Sequence, residues 1–95
     1  PPVRVIKPRV RGQTSHEINL LGLRVEEAVQ RLDAFLNASL LAQLEEVRVV
    51  HGFGTGKLRQ GIHAWLRQQK HIRDFRLGKD FEDSGGAGVT IVRLK

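Results

Sequence analysis

The order of apolar runs predicts an α/β fold, a two-layer sandwich with two helices on one face of a four-stranded mixed sheet. Three observations carry that reading. Apolar residues keep helical spacing over two segments, from Val25 to Leu40 and from Leu58 to Leu66. Four short strand-like runs surround them, one mostly apolar (EINLL), one rich in β-branched residues (EVRVV), one alternating (HIRDFRL) and one closing the chain (GVTIVRL), which sets the order β-α-β-α-β-β. Right-handed crossovers place consecutive helices on the same side of a sheet, so both helices belong to one layer.

Residues 1–15 (PPVRVIKPRVRGQTS) read as a basic, proline-containing linker or arm, with Arg4, Lys7, Arg9, Arg11 and no acid. A chain that starts this way, without an initiator methionine, is expected to be a piece of something longer. The folded domain is expected over residues 16–95. Its first strand is read at Glu17 to Leu21 (EINLL), a short apolar run closed by Gly22. The first helix follows, with Val25, Ala28, Val29, Leu32, Phe35, Leu36 and Leu40 on one face and Glu26 and Glu27 in its first turn, where the helix dipole favours negative charge.

The second strand, Glu46 to Val50 (EVRVV), runs straight into HGFGTGKL. Beyond that loop Leu58, Ile62, Trp65 and Leu66 return to helical spacing. Residues 71–77 alternate, with Ile72, Phe75 and Leu77 as core candidates, and residues 88–94 (GVTIVRL) form the last strand. Between them KDFEDSGGAG reads as a turn or mobile loop.

Composition narrows the partners. At 95 residues the chain builds one core, and with aromatics at 5% that core is aliphatic. The absence of cysteine excludes disulfides and thiolate zinc sites, and makes the cytoplasm the default compartment. No apolar run approaches a membrane span, so no membrane partner is expected. The formal net charge is +6, and it is unevenly placed. Residues 57–79 hold Lys57, Arg59, Arg67, Lys70, Arg73, Arg76 and Lys79 against Asp74 alone, whereas residues 24–46 are net acidic. One side of the domain should therefore face a polyanion.

The chemistry concentrates at Val49 to Leu58. Gly52, Gly54 and Gly56 leave backbone N–H groups accessible to a phosphate, Thr55 is a candidate N-cap, and the helix N-terminus adds partial positive charge. Lys57 and Arg59 supply full charges. The run is not a nucleotide P-loop, which would need Gly at 51 and Ser or Thr at 58, where His51 and Leu58 stand. His51 sits where strand gives way to loop, so its ring is expected to reach a bound phosphate as acid, base or donor. With Leu58, Ile62, Trp65 and Leu66 inward, Arg59, His63, Arg67 and Lys70 are expected on the exposed side, able to track a backbone. Trp65 and Phe35 occupy core spacings, leaving Phe53 as the one aromatic placed to stack on a base. No two of His16, His51, His63 and His71 share a short metal-ligand spacing, so no His-based metal site is expected.

The runs HGFGTGKLRQGIHAWL, GGAGVTIVRL and INLLGLRVEEA resemble three spaced motifs of the small MutS-related (Smr) domain, in the right order and over most of the chain. RVEEA and LRQGI most resemble the version attached to the MutS paralogue that works outside mismatch repair. The resemblance implies a fold similar to the C-terminal domain of bacterial translation initiation factor three. It also implies DNA or RNA binding, nicking endonuclease activity in many members, and a parent chain linked to recombination suppression or to rescue of collided ribosomes. ATP is not expected in this domain, because a separate domain handles it there. A divalent metal is compatible with the chemistry, and no cofactor is fixed by the sequence.

The family's opening motif is Leu-Asp-Leu, then His or Arg, then Gly; here it is Ile18, Asn19, Leu20, Leu21 and Gly22. Asn19 keeps an acceptor oxygen but carries no charge, and Leu21 keeps no polar group. His51 is the catalytic candidate that carries over, with Asn19 in the place of the family aspartate, His16, Glu17 and Arg24 as flanking residues to compensate for it, and Asp80, Glu82 and Asp83 as acids that would fold back from the late loop. Three readings stay open. They are a nuclease with His51 as acid or base, a binding module with the same cradle and no cleavage, and a protein-interaction domain.

Overall fold

The computed structural model describes residues 16–79 and 86–95. The arm at residues 1–15 and the loop acids Asp80, Glu82 and Asp83 lie outside the described residues. The elements are β1 (Glu17–Asn19), α1 (Val25–Leu41), β2 (Glu46–Val50), α2 (Lys57–Leu66), β3 (Ile72–Leu77), a 3-10 turn (Gly86–Gly88) and β4 (Val89–Leu94). They form one mixed sheet in the order β1-β2-β4-β3. β1 runs parallel to β2, while β4 is antiparallel to both β2 and β3. The two-layer α/β expectation therefore holds.

Both helices pack on the same face. Ala28, Leu32 and Leu36 of α1 and Ile62 and Leu66 of α2 share one buried cluster with Val47 and Val49 of β2, Ile72 of β3, and Val92 and Leu94 of β4. The opposite face carries cross-strand ion pairs: Arg48 donates to Glu17 (2.7 Å), and Arg93 grips Asp74 with two nitrogens (2.9 and 2.7 Å). That alternation, apolar under the helices and charged on the other side, fixes the register of each strand.

Two boundaries differ from the sequence reading. β1 ends at Asn19 rather than Leu21, and it is an edge strand instead of a buried one, with Glu17 and Asn19 exposed. The chain turns because the Asn19 side chain accepts the Leu21 N–H (2.9 Å), Leu23 N–H donates to the Leu20 carbonyl (3.2 Å), and Gly22 takes φ +78°. In β3, Ile72 and Phe75 both face the core although three residues apart. A register irregularity between Ile72 and Asp74 inserts the extra residue that permits it.

The helices meet closely at the end of the sheet where the glycine loop emerges. Gly61 of α2 lies against Val25 of α1, and an ideal Cβ there would stand 2.5 Å from one Val25 methyl and 2.9 Å from the other. Val25 is β-branched and cannot rotate away cheaply. Gly61→Ala should therefore destabilise the domain by about 1 to 3 kcal/mol, although alanine is the better helix former. Urea unfolding of Gly61→Ala alone and with Val25→Ala would show it: the second substitution should recover stability, and an additive further loss would refute the contact.

Candidate functional site

The loop from His51 to Gly56 is held by the start of β4. His51 N–H and Gly52 N–H both donate to the Gly88 carbonyl, at 3.1 and 2.9 Å, so the chain leaving β2 is fixed before it turns. Gly52 adopts φ +80°, and a Cβ on it would collide with the Leu21 side chain. Gly56, at φ +88°, is the residue that caps α2: its N–H donates to Phe53 (3.1 Å) and its carbonyl receives Gln60 N–H (2.9 Å). Both positions need a left-handed backbone that glycine adopts without penalty. Thr55, expected as the N-cap, precedes that position. Its hydroxyl lies 3.4 Å from Lys57 N–H, at the limit of a hydrogen bond.

The result is a cleft of about 320 Å³, walled by Leu21, Gly22 and Leu23 on one side and by residues 51–59 on the other. Among the described residues no carboxylate lines it. The N–H groups of Phe53, Gly54 and Thr55 have no acceptor among the described residues. Lys57 is exposed at the start of α2, and the Arg59 guanidinium folds back over the loop, 3.4 Å from where a Cβ on Gly56 would lie. Among the described residues neither cation has a carboxylate partner. Among the described residues, donors without acceptors, a helix N-terminus and two cations without carboxylate partners thus gather around one cleft that no acid lines, an arrangement suited to a phosphate.

His51 lines that cleft, but its ring nitrogens are turned to partners within the domain. It is 5% exposed, and both ring nitrogens are engaged: Nδ1 with the Gly52 carbonyl (2.9 Å) and Nε2 with the Thr90 hydroxyl (2.8 Å). His63 also departs from its expected place on the exposed stripe of α2. Its Nε2 lies 2.7 Å from the same Thr90 hydroxyl, and its ring meets Phe75 edge-on with centroids 4.9 Å apart. Thr90 itself is fully buried. The proton positions follow from donor counting. A carbonyl only accepts, so His51 Nδ1 carries hydrogen. In neutral His51 the Nε2 is then bare and accepts from Thr90 O–H, leaving Thr90 oxygen to accept from His63 Nε2–H. Three groups are satisfied by one hydroxyl.

Burial is the main force holding both histidines below their ordinary pKa of 6.5. The Gly52 carbonyl pulls His51 the other way, and Arg59 pushes it further down. His63 is lowered further by His51, Arg67 and Arg59.

The remaining expected site residues lie elsewhere. Glu17 is paired with Arg48 on the outer face of the sheet. The Asn19 oxygen is taken by Leu21 N–H, and Arg24 is exposed at the N-terminus of α1; none of the three lines the cleft. Arg67 and Lys70 are exposed along α2 and just beyond it, outside the cleft but on the same flank as Arg59. Among the described residues no group of three His, Asp or Glu is placed to hold a metal. No helix there is long and apolar enough to cross a membrane. Thr90 went unnoticed in the sequence, although it is the one hydroxyl in the inward row Thr90, Val92, Leu94.

The Smr domain family model matches residues 18–95. The chain belongs to the Smr domain family. It is 48% identical over 81 residues to the endonuclease MutS2 of Exiguobacterium sibiricum, covering 85% of this chain and 10% of that protein. The endonuclease MutS2 of Lachnospira eligens is 54% identical over 81 residues, again 85% of this chain and 10% of that one. That of Thermomicrobium roseum is 50% identical over 96 residues, 100% of this chain and 11% of the relative. The chain thus spans about a tenth of these relatives' length. Among solved structures, the Smr domain of Thermus thermophilus MutS2 superposes with a TM-score of 0.78 at 40% identity, covering 83% of this chain and 96% of that one. YdaL, a stand-alone small MutS-related protein from Escherichia coli, shares the fold with a TM-score of 0.78 at 24% identity, over 87% of this chain and 66% of that one.

The lowered histidines give the Smr domain a pH signature. As pH falls through 6.5 the unfolded chain binds protons that buried His51 and His63 refuse, so folding stability is full above that value and declines below it. Urea midpoints should drop between neutral pH and about pH 5. His63→Gln, whose amide still donates to Thr90, should flatten that fall; an identical slope would show that His63 does not contribute to it.

Proposed function

We propose that this Smr domain binds the phosphodiester backbone of DNA or RNA in the cleft between the Leu21 turn and the glycine loop, as the nucleic-acid-handling module of a MutS2-type chain. The observation that carries the reading is the gathering of the Phe53, Gly54 and Thr55 N–H groups, which have no acceptor among the described residues, with Lys57 and Arg59 around a cleft that no described acid lines. Arg67 and Lys70 extend the positive flank along α2, where a strand leaving the cleft would pass. Phe53, 68% exposed at the loop tip, is available to stack on an unpaired base beside the bound phosphate. Recognition of this kind follows the backbone and carries little sequence specificity.

Fluorescence anisotropy with labelled single-stranded and duplex oligonucleotides tests this directly. Lys57→Ala and Arg59→Ala should each weaken binding and lower the slope of log affinity against log salt by about one. Phe53→Ala should cost about 1 to 3 kcal/mol on single strands and much less on duplex. Affinity that ignores both salt and the two cations would sink the proposal.

A second reading, nicking of the bound strand, is favoured by the name endonuclease MutS2 carried by relatives about half identical to this chain. In that reading the domain supplies the cut for a parent chain acting on recombination intermediates or on ribosomes. Asn19 weighs against strong cleavage, because its amide neither ionises nor is free of Leu21 N–H. Nicking of supercoiled plasmid and of structured RNA by this chain, by His51→Ala and by Asn19→Asp separates the two. Cleavage lost with His51 supports a nuclease, while cleavage seen only in Asn19→Asp identifies the natural domain as a binder.

A further inference from the structure

The Gly52 carbonyl and the Phe53 N–H belong to the same trans peptide, so they point in opposite directions. The carbonyl is turned inward onto His51 Nδ1, at 2.9 Å. The Phe53 N–H therefore faces away from the ring, and it is one of the donors left without an acceptor among the described residues. Gly52, at φ +80°, is the residue type that lets a peptide turn over with little backbone penalty, so its orientation must be held by something else. That something is the proton on His51 Nδ1. Moved to Nε2, it would leave two lone pairs facing each other across 2.9 Å, and relief would come from flipping the peptide. A flipped peptide would present the Gly52 oxygen, its negative end, to the phosphate.

We propose that Thr90 and His63 are positioning residues that set the polarity of the glycine loop: they fix the His51 tautomer and so keep the Phe53 N–H aimed at the bound phosphate. The inference rests on the phosphate-binding reading and deepens it. His63 Nε2–H donates to Thr90 oxygen at 2.7 Å, and the Thr90 hydrogen then goes to His51 Nε2 at 2.8 Å. With Nε2 accepting, the one hydrogen of neutral His51 must sit on Nδ1. Were His51 to carry hydrogen on Nε2 as well while His63 keeps its own on Nε2, Thr90 oxygen would receive two N–H groups and its own hydrogen would be orphaned in a fully buried place. The surroundings reinforce the neutral form: Arg59 acts electrostatically on both rings and Arg67 on His63 from α2, and Phe75 packs on His63 from β3. With both histidines neutral, the chain of three groups thus has one self-consistent proton arrangement, and it gives the loop a donor face.

The test pairs a spectroscopic readout with a binding one on the 95-residue chain. Imidazole 15N NMR reports which His51 nitrogen holds the hydrogen, and anisotropy with a fluorescein-labelled DNA oligonucleotide reports affinity. Wild type, Thr90→Ser and His63→Gln should show the Nδ1–H tautomer of His51 and equal affinity. Thr90→Val and His63→Phe should show a mixture of tautomers and affinity lower by roughly tenfold, the scale of one lost hydrogen bond. Lys57→Ala should lose affinity with the His51 tautomer unchanged, which separates polarity of the loop from charge beside it. Finding His51 as Nε2–H in wild type overturns the proposal, as does a changed tautomer with full affinity in Thr90→Val. Should Thr90→Val fail to fold, His63→Phe and the wild-type tautomer decide the matter. A wild-type Nδ1–H tautomer with no oligonucleotide binding would overturn the phosphate reading, and the functional claim with it, while leaving the hydrogen-bond chain intact.

Discussion

The Gly88 carbonyl receives two N–H groups, those of His51 and Gly52, and the geometry of the cleft descends from that junction. It exists because β4 is inserted between β2 and β3, so that the beginning of the last strand lies beside the end of the second. Antiparallel pairing carries Val50 opposite Val89, and one residue further the loop entry meets the 3-10 turn. From there each step constrains the next. The pinned entry puts the His51 ring over Thr90, the ring holds the Gly52 carbonyl, and the left-handed glycines bring the chain round to start α2 at Lys57. A loop fixed at so many points loses little further entropy on meeting an anion, which is the advantage of a preformed site.

The same junction explains how one small domain separates its charges. Most apolar residues of the strands turn toward the helices, Val89 and Ile91 of β4 being exceptions, and charged residues of the strands collect on the far face and neutralise one another there as the Glu17–Arg48 and Asp74–Arg93 pairs. Those exposed pairs add little stability and mainly cancel field. Lys57, Arg59, Arg67 and Lys70 have no such partners among the described residues, so the positive potential survives on the α2 flank. Polarity of the surface is therefore a consequence of the sheet's two faces as much as of composition.

Much of the fold was legible because periodicity reports it directly. α1 and α2 begin and end within a few residues of their apolar stripes, and β2 and β4 match their β-branched runs. The Leu21 turn was not, since an apolar run does not reveal that the Asn19 side chain will take the Leu21 N–H. The glycine loop was legible as the strand-to-helix connection between β2 and α2, and residue types alone suggested the anion site proposed there. What alternation and helical spacing could not show was the use of His51 and His63. His63 lies four residues from both Arg59 and Arg67, which places it on a cationic stripe by counting. It also lies three residues before Leu66, on the margin of the apolar face, and the buried Thr90 hydroxyl draws it to that side. A lone hydroxyl in the inward row of β4 was the one available sign.

The position of His51 bears on how cleavage would have to work. A general base must be within hydrogen-bond reach of the proton it takes, and His51 has one nitrogen on Thr90 and the other on its own loop. Burial also keeps the ring neutral, so it does not serve as a standing cation for the phosphate. To donate its Nδ1 proton to a leaving oxygen, His51 would first have to release the Gly52 carbonyl, and release would turn the loop's donor face away from the substrate. Holding the phosphate and protonating it thus draw on the same hydrogen atom. Asn19, its oxygen taken by Leu21 N–H, and apolar Leu21 offer no group to take over that proton, which is why the proposal made above is one of binding.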